Sequence, residues 1–157
     1  MKSLLFFIIA TPYLCGQVYR GAELRTTEPV LYGKFEARYK PAQGDGLVSS
    51  FFTYNDNYPN TPWAEIDIEL LGVYDHVIDM NTITWGQNSH IRQHYIDFNP
   101  HLDFHTYGFE WTPDYVAWFV DGQEVYRQTG EHVDSLHYYQ KIMMNIWNPI
   151  YSDWVGA

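Results

Sequence analysis

Residues 63–70 read WAEIDIEL. Ala64, Ile66, Ile68 and Leu70 alternate with Trp63, Glu65, Asp67 and Glu69, a period of two that predicts a β-strand with one apolar face. Acidic residues are poor strand formers, so three carboxylates in register on the wet side, beneath a tryptophan, need a reason beyond solubility. Residues i, i+2 and i+4 of a strand project from one face. Glu65, Asp67 and Glu69 therefore stand in a row, with the two glutamate Cα atoms roughly 13 Å apart.

That row has the makings of acid–base chemistry. Two glutamate side chains leaning together approach the ~5–5.5 Å separation at which one carboxylate attacks a sugar while the other protonates its leaving group. Carboxyls so close do not all ionise near neutral pH, and the one that keeps its proton is a general acid. Asp67 is placed to hydrogen-bond and orient a neighbouring carboxyl, and Trp63 offers a flat surface for a sugar ring. Two other readings stand beside this one. The row is a solvated acidic face, or it binds calcium, although calcium loops space their ligands on turns rather than along an apolar strand.

Outward from this strand the same period recurs in short runs. LYGKFEARYKP (31–41) ends at a Pro-Ala-Gln-Gly-Asp-Gly turn, and LVSSFFTY (47–54) leads through a polar loop to the acidic strand. VIDMNTITW (77–85), HIRQHYIDF (90–98) and KIMMNIW (141–147) follow the pattern. Between them, a strand ending at Trp111 precedes a hairpin whose Asp121-Gly122 pair joins YVAWFV to QEVYRQ. Asp-Gly supplies the two positive φ angles of a type I′ turn. No helix is predicted. Many short strands with regular turns specify an all-β, antiparallel sandwich or barrel.

The 157 residues suffice for one domain. Aromatic residues make up 18% of the chain and charged residues only 18%, the composition of a packed globule. A net charge of −10 argues against nucleic acid, anionic membranes and polyanionic substrates. A neutral carbohydrate suits an acidic surface rich in Trp and Tyr. Cys15 is the only cysteine, so no intrachain disulfide forms. Residues 1–16 resemble a secretory signal, with Lys2 before an apolar core from Leu4 to Ala10; the alternative is that this run is a first buried strand. No other apolar run approaches the roughly 20 residues of a membrane-spanning helix. His90 and His94 have the spacing of metal ligands, and also that of a wet strand or loop. Serine-hydrolase, nucleotide-binding and zinc-ribbon motifs are absent from the sequence.

Four stretches in order now carry a resemblance. They are YRGAELRTTEPVLYGKFEARYKPAQGDGLVSSFFTY (19–54), EIDIELLG (65–72), FHTYGFEWTPDYVAWFVDG (104–122) and KIMMNIWN (141–148). Together they resemble glycoside hydrolase family 16 and, within it, the bacterial lichenases, endo-β-1,3-1,4-glucanases. The unbroken EIDIE matches the branch shared by lichenases and xyloglucan transglycosylases, whereas laminarinase-like members carry an extra residue before the last Glu.

The resemblance implies a jelly-roll β-sandwich (concanavalin A-like) over residues 17–157, with a cleft across its concave face. It makes Glu65 the nucleophile, Asp67 its assistant and Glu69 the acid/base of a retaining endo-β-glucanase. It assigns glucan binding to Glu23, Arg25, Phe52, Tyr54, Trp63, Asn81, Asn145 and Trp147. Taken singly, Phe52 and Trp147 also read as core and Arg25 as a surface charge. No cofactor or metal is expected; a neutral β-glucan is the expected partner, and the protein is expected to be monomeric and secreted or periplasmic.

Two departures bear on linkage specificity: Ala64 replaces a usual Asp, and Ile83 stands where a Tyr is common. The family's strands before GAELRT and its closing strand after DWVGA have no counterpart here, so the sandwich is expected to be incomplete. The alternatives are a xyloglucan or cell-wall transglycosylase, in which a sugar hydroxyl captures the intermediate, and a truncated glycan-binding domain without turnover.

Overall fold

A computed structural model describes residues 21–156. The leader-like residues 1–16 lie outside that range. The strands in chain order are β1 (Ala22–Arg25), β2 (Gly33–Tyr39), β3 (Val48–Tyr54), β4 (Glu65–Leu71), β5 (Val77–Thr84) and β6 (Asn88–Ser89). They continue with β7 (Arg92–Tyr95), β8 (His105–Trp111), β9 (Tyr115–Val120), β10 (Gln123–Thr129) and β11 (Lys141–Trp147). All pair antiparallel. One sheet runs β1-β11-β3-β4-β5-β6, with β7 also on β5; the other runs β10-β9-β8-β2. The predicted all-β, antiparallel sandwich is therefore what forms.

The core lies between the sheets. Ile66, Ile68 and Leu70 of β4, with Phe51, Ile78 and Met80 from its neighbours, pack on Tyr107, Phe109, Trp111 and Trp118 of the second sheet. Each such aliphatic side chain contributes about 1.5–3 kcal/mol by leaving water. The Trp118 indole N–H also donates to the Asp67 carbonyl at 2.9 Å, tying the second sheet to the middle of β4. Gly72 ends β4 because the chain crosses itself there: a Cβ would lie 2.3 Å from the Gly44 carbonyl oxygen. The Asp121-Gly122 turn takes φ of 48° and 80°, as its sequence predicts.

Three expectations are corrected. Two single-turn helices occur, α1 (Glu131–Asp134) and α2 (Ser152–Val155), too short for any periodicity to reveal. The run 90–98 pairs only over β7, since the chain turns through a short 3-10 segment at Trp85–Gln87 and re-enters the sheet first at β6. The acidic face of β4 is not wet: Asp67 is 4% exposed, because β4 is central and Asp67 is flanked by Phe52 and Asn81.

β2 is the outer strand of the smaller sheet, and β1 and β11 extend past it. Among the described residues nothing covers the core-facing side of that overhang, where Leu24 is 70% exposed. Two cavities of about 660 Å³ each open there, lined by Leu24 and Met144 with Tyr39 in one and Phe35 in the other. No helix of the described residues is long and apolar enough to cross a membrane.

Candidate active site

Register fixes the neighbours of each carboxylate on β4. Glu65 stands opposite Tyr54 and Ile83, Asp67 opposite Phe52 and Asn81, and Glu69 opposite Ser50 and Asp79. Directly opposed residues in antiparallel strands share a face, so the rows continue outward. Ser50 faces Asn145, which faces Glu23; Phe52 faces Met143, which faces Arg25. Trp147, two residues beyond Asn145, lies on this face, and Trp63 reaches it from just before β4. Every site residue expected from the sequence thus lies on the one face of the larger sheet turned away from the core.

The details vary by residue. Trp63 donates its indole N–H to Glu65 Oε2 at 2.7 Å. Its ring meets Tyr54 edge-on at 5.4 Å and Tyr58 at 5.0 Å, forming an aromatic wall beside Glu65. Phe52 is buried at 8% exposure and stands opposite Asp67 on the site face. Arg25 donates to Glu23 Oε1 at 2.6 and 2.9 Å and reaches Asp56 at 3.3 Å, an exposed pair at the rim. Asn81 Oδ1 accepts the His90 backbone N–H at 2.8 Å, leaving its amide nitrogen to donate to Asp67. Asn145 Oδ1 and Trp147 Nε1 are buried without a hydrogen-bond partner among the described residues.

The carboxyls differ in proton affinity. Burial, then the charges of Asp79 and Glu65, raise the pKa of Glu69 to about 8, against a weak opposing hydrogen bond from Ser50. Burial, then the charges of Glu65 and Glu69, push Asp67 well up, so it keeps its proton and donates it to Glu65. Burial raises Glu65 as well, but the hydrogen bonds from Asp67 and Trp63 pull it back. Glu69 therefore holds its proton toward neutral pH, while the donors around Glu65 oppose the rise that burial imposes there, so the two glutamates sit in environments that push their proton affinities apart.

His90 and His94 are not brought together for a metal. His90 stacks on His132 at 4.1 Å and meets the Thr84 hydroxyl at 3.2 Å. His94 is paired with Ile78, whose side chain faces the core. Among the described residues no three His, Cys, Asp or Glu side chains form a metal-binding group.

Sequence reading passes over Ser50, Asp79, Gln93 and Trp154. Ser50 and Asp79 lie two residues from Phe52 and Asn81, so strand phase alone could have placed them on this face. Trp154 donates to Asp79 at 3.2 Å from α2, a contact no local pattern announces.

Comparison with known proteins agrees with this geometry. The beta-glucanase of Fibrobacter succinogenes (strain ATCC 19169 / S85) is 43% identical over 152 residues, covering 93% of this chain and 44% of that protein. The Bacillus licheniformis beta-glucanase superposes with a TM-score of 0.79 at 37% identity, over 86% of this chain and 62% of that one. A prokaryotic beta-1,3-1,4-glucanase (lichenase) from a mouse hindgut metagenome gives 0.78 at 42% identity, with 86% and 62% covered. The chain thus spans less than half of that curated relative and about three fifths of the solved ones. The sandwich of the solved relatives is the jelly roll expected from the sequence. The family model of glycosyl hydrolases family 16 matches residues 8–155, which carry both glutamates, their flanking strands and the aromatic wall; the chain belongs to that family.

Proposed function

We propose that the chain carries the active site of a retaining endo-β-glucanase that hydrolyses mixed-linkage β-1,3-1,4-glucan. The observation that carries this is the placement of Glu65 and Glu69 four residues apart on one face of β4, Glu65 held by the Trp63 indole N–H at 2.7 Å and Glu69 set opposite Asp79 with its pKa pushed up to about 8. Glu65, the anion, attacks the anomeric carbon while Glu69 gives its proton to the glycosidic oxygen. The C–O bond breaks, the downstream glucan leaves with that proton, and a glycosyl ester forms on Glu65. Glu69, now a carboxylate, takes a proton from water. The water oxygen attacks the anomeric carbon, the ester bond breaks, and Glu65 returns as a carboxylate. Two displacements retain the anomeric configuration. Asp67 holds a proton against Glu65 throughout and stabilises it as attacking and leaving group.

The names of the relatives support the substrate class. Trp63, Tyr54 and Phe52 supply aromatic surface for neutral sugar rings, and Asn81, Asn145, Trp147, Glu23 and Arg25 supply polar groups for hydroxyls. A polymeric glucan is met outside the cytoplasm, which fits the secretory reading of residues 1–16.

The test is release of reducing ends from barley glucan by the full chain beside Glu65→Gln and Glu69→Gln. Loss of a general acid or nucleophile should lower kcat by about 10²–10⁴ or more. Variants that keep the wild-type rate would refute the assignment. Products longer than a starting oligosaccharide would identify a sugar acceptor in place of water, and laminarin or xyloglucan as better substrates would overturn the linkage.

A further inference from the structure

β5 brings to the site a fourth carboxylate that the mechanism above does not use. Asp79 stands directly opposite Glu69, a placement that sets Cβ atoms about 4.5–5.5 Å apart, and it is 1% exposed. No ion pair among the described residues includes either of them, so no cation relieves their repulsion. Two carboxyls in such a site share one proton near neutral pH, and the surrounding donors decide which keeps it. Gln93 Nε2 donates to Asp79 Oδ1 at 3.1 Å, and Trp154 Nε1 donates to Oδ2 at 3.2 Å. An amide NH2 and an indole N–H can only donate, so both favour the anion. Glu69 has only the Ser50 hydroxyl, at 3.5 Å, and a hydroxyl can rotate to accept instead.

We propose that Asp79 is a positioning residue for Glu69: fixed as an anion by Gln93 and Trp154, it keeps the pair's single proton on Glu69, where the glycosidic oxygen takes it. The proposal rests on the reading of Glu69 as the acid/base. The titratable groups acting on Glu69 are Asp79 from β5 and, on its own strand, Glu65 and Asp67; β3 brings only Ser50, and the second sheet brings the neutral phenol of Tyr39. The proton affinities run the same way. After burial, Asp79 is the largest influence raising Glu69; burial raises Asp79 too, and the hydrogen bonds from Trp154 and Gln93 hold that rise back. Around the site anion and neutral acid alternate, Glu65, Asp67, Asp79 and Glu69 forming two anion–acid pairs.

Asp79→Asn replaces the anion with an amide that can donate to Glu69 and favour its ionised form. The basic limb of kcat/KM should fall by about one to two pH units, while the acid limb, set by Glu65, stays in place. Carbon-13 NMR titration of the full chain labelled at the glutamate carboxyls reads the same shift without turnover, with Glu69 assigned by its loss in Glu69→Gln. A shift seen by NMR in a protein that hydrolyses no glucan would support this inference and refute the functional reading instead. Gln93→Met, at an exposed strand position, removes one donor and moves the proton toward Asp79. Its plateau rate should drop severalfold without a fall in the basic limb, and the NMR titration should show Glu69 partly ionised below that limb, a change that loss of stability alone does not produce. The inference is overturned if Glu69 titrates in Asp79→Asn as in the wild type. Should Asp79→Asn not fold, a Gln93→Met protein with wild-type plateau and wild-type Glu69 titration overturns it equally.

Discussion

Replacing Trp63 with phenylalanine removes one hydrogen-bond donor from Glu65, the proposed nucleophile, and leaves an aromatic ring in its place. The lost bond is the 2.7 Å contact from the indole N–H to Glu65 Oε2. A hydrogen bond to a charged acceptor contributes about 1.5–3 kcal/mol, and one pKa unit corresponds to about 1.36 kcal/mol. Glu65 should therefore titrate about one to two units higher, toward the lower figure if water replaces the indole. Glu65 must be ionised to attack, so raising its pKa moves the acid limb of kcat/KM to higher pH by the same amount. On the plateau above that limb the rate should change little, because phenylalanine still packs on Tyr54 and Tyr58 and still offers a face to a sugar. The assay is kcat/KM against pH on barley glucan, since that profile reports the free enzyme's essential groups. A lowered plateau with an unmoved acid limb would refute the reasoning and leave Trp63 a sugar platform only.

Stability should depend on pH with an unusual sign. Glu69 has its folded pKa raised from 4.5 to about 8, so the folded state holds that proton more tightly than the unfolded chain. The resulting stabilisation is full below the unfolded value and is lost as pH rises through about 8. Thermal unfolding across a pH series should show Tm falling through that window, and Glu69→Gln should flatten the fall. Thr53→Val should destabilise by about 1–3 kcal/mol in urea unfolding, because the Thr53 hydroxyl bonds Gln140 at 2.6 Å and accepts the Ile66 N–H at 3.1 Å in the buried layer. Ile68→Ala, behind the acidic row, should cost about 2–5 kcal/mol by the same measurement.

The parts of the fold legible in the sequence are those where period and burial agree. Ile66, Ile68 and Leu70 mark one face of β4, and the Asp-Gly pair marks the β9–β10 hairpin. β1 is legible only within a family motif, because Ala22–Arg25 is four residues long and exposed throughout, with no apolar alternation to read. The turns at Glu131–Asp134 and Ser152–Val155 are shorter than any helical repeat. At the site, strand phase was enough to align Glu65, Asp67 and Glu69. The burial of Asp67 and the pairing of Asp79 with Glu69 depend on which strands lie either side of β4, and that is set by topology. Trp154 is invisible for the same reason, since its contact with Asp79 spans 75 positions of sequence.

The rows that cross β11, β3, β4 and β5 also constrain how such a protein can change by descent. A substitution alters one square of the grid, but an insertion or deletion of a single residue inside β4 that no β-bulge absorbs would shift everything beyond it by half a pleat. Glu69 would then turn toward Phe109 and Trp118, and Leu70 would emerge beside Ser50. Lengthening by two would restore the alternation while moving each carboxylate to a new cross-strand neighbour. Tolerance to length change along these strands should therefore oscillate with parity, whereas the turn at 112–114, which only joins β8 to β9, is freer to grow or shrink. Length variation among descendants of this sequence is predicted to collect at such connections, and a library of single-codon deletions scored on glucan plates would trace the pleat of the sheet directly in its survivors.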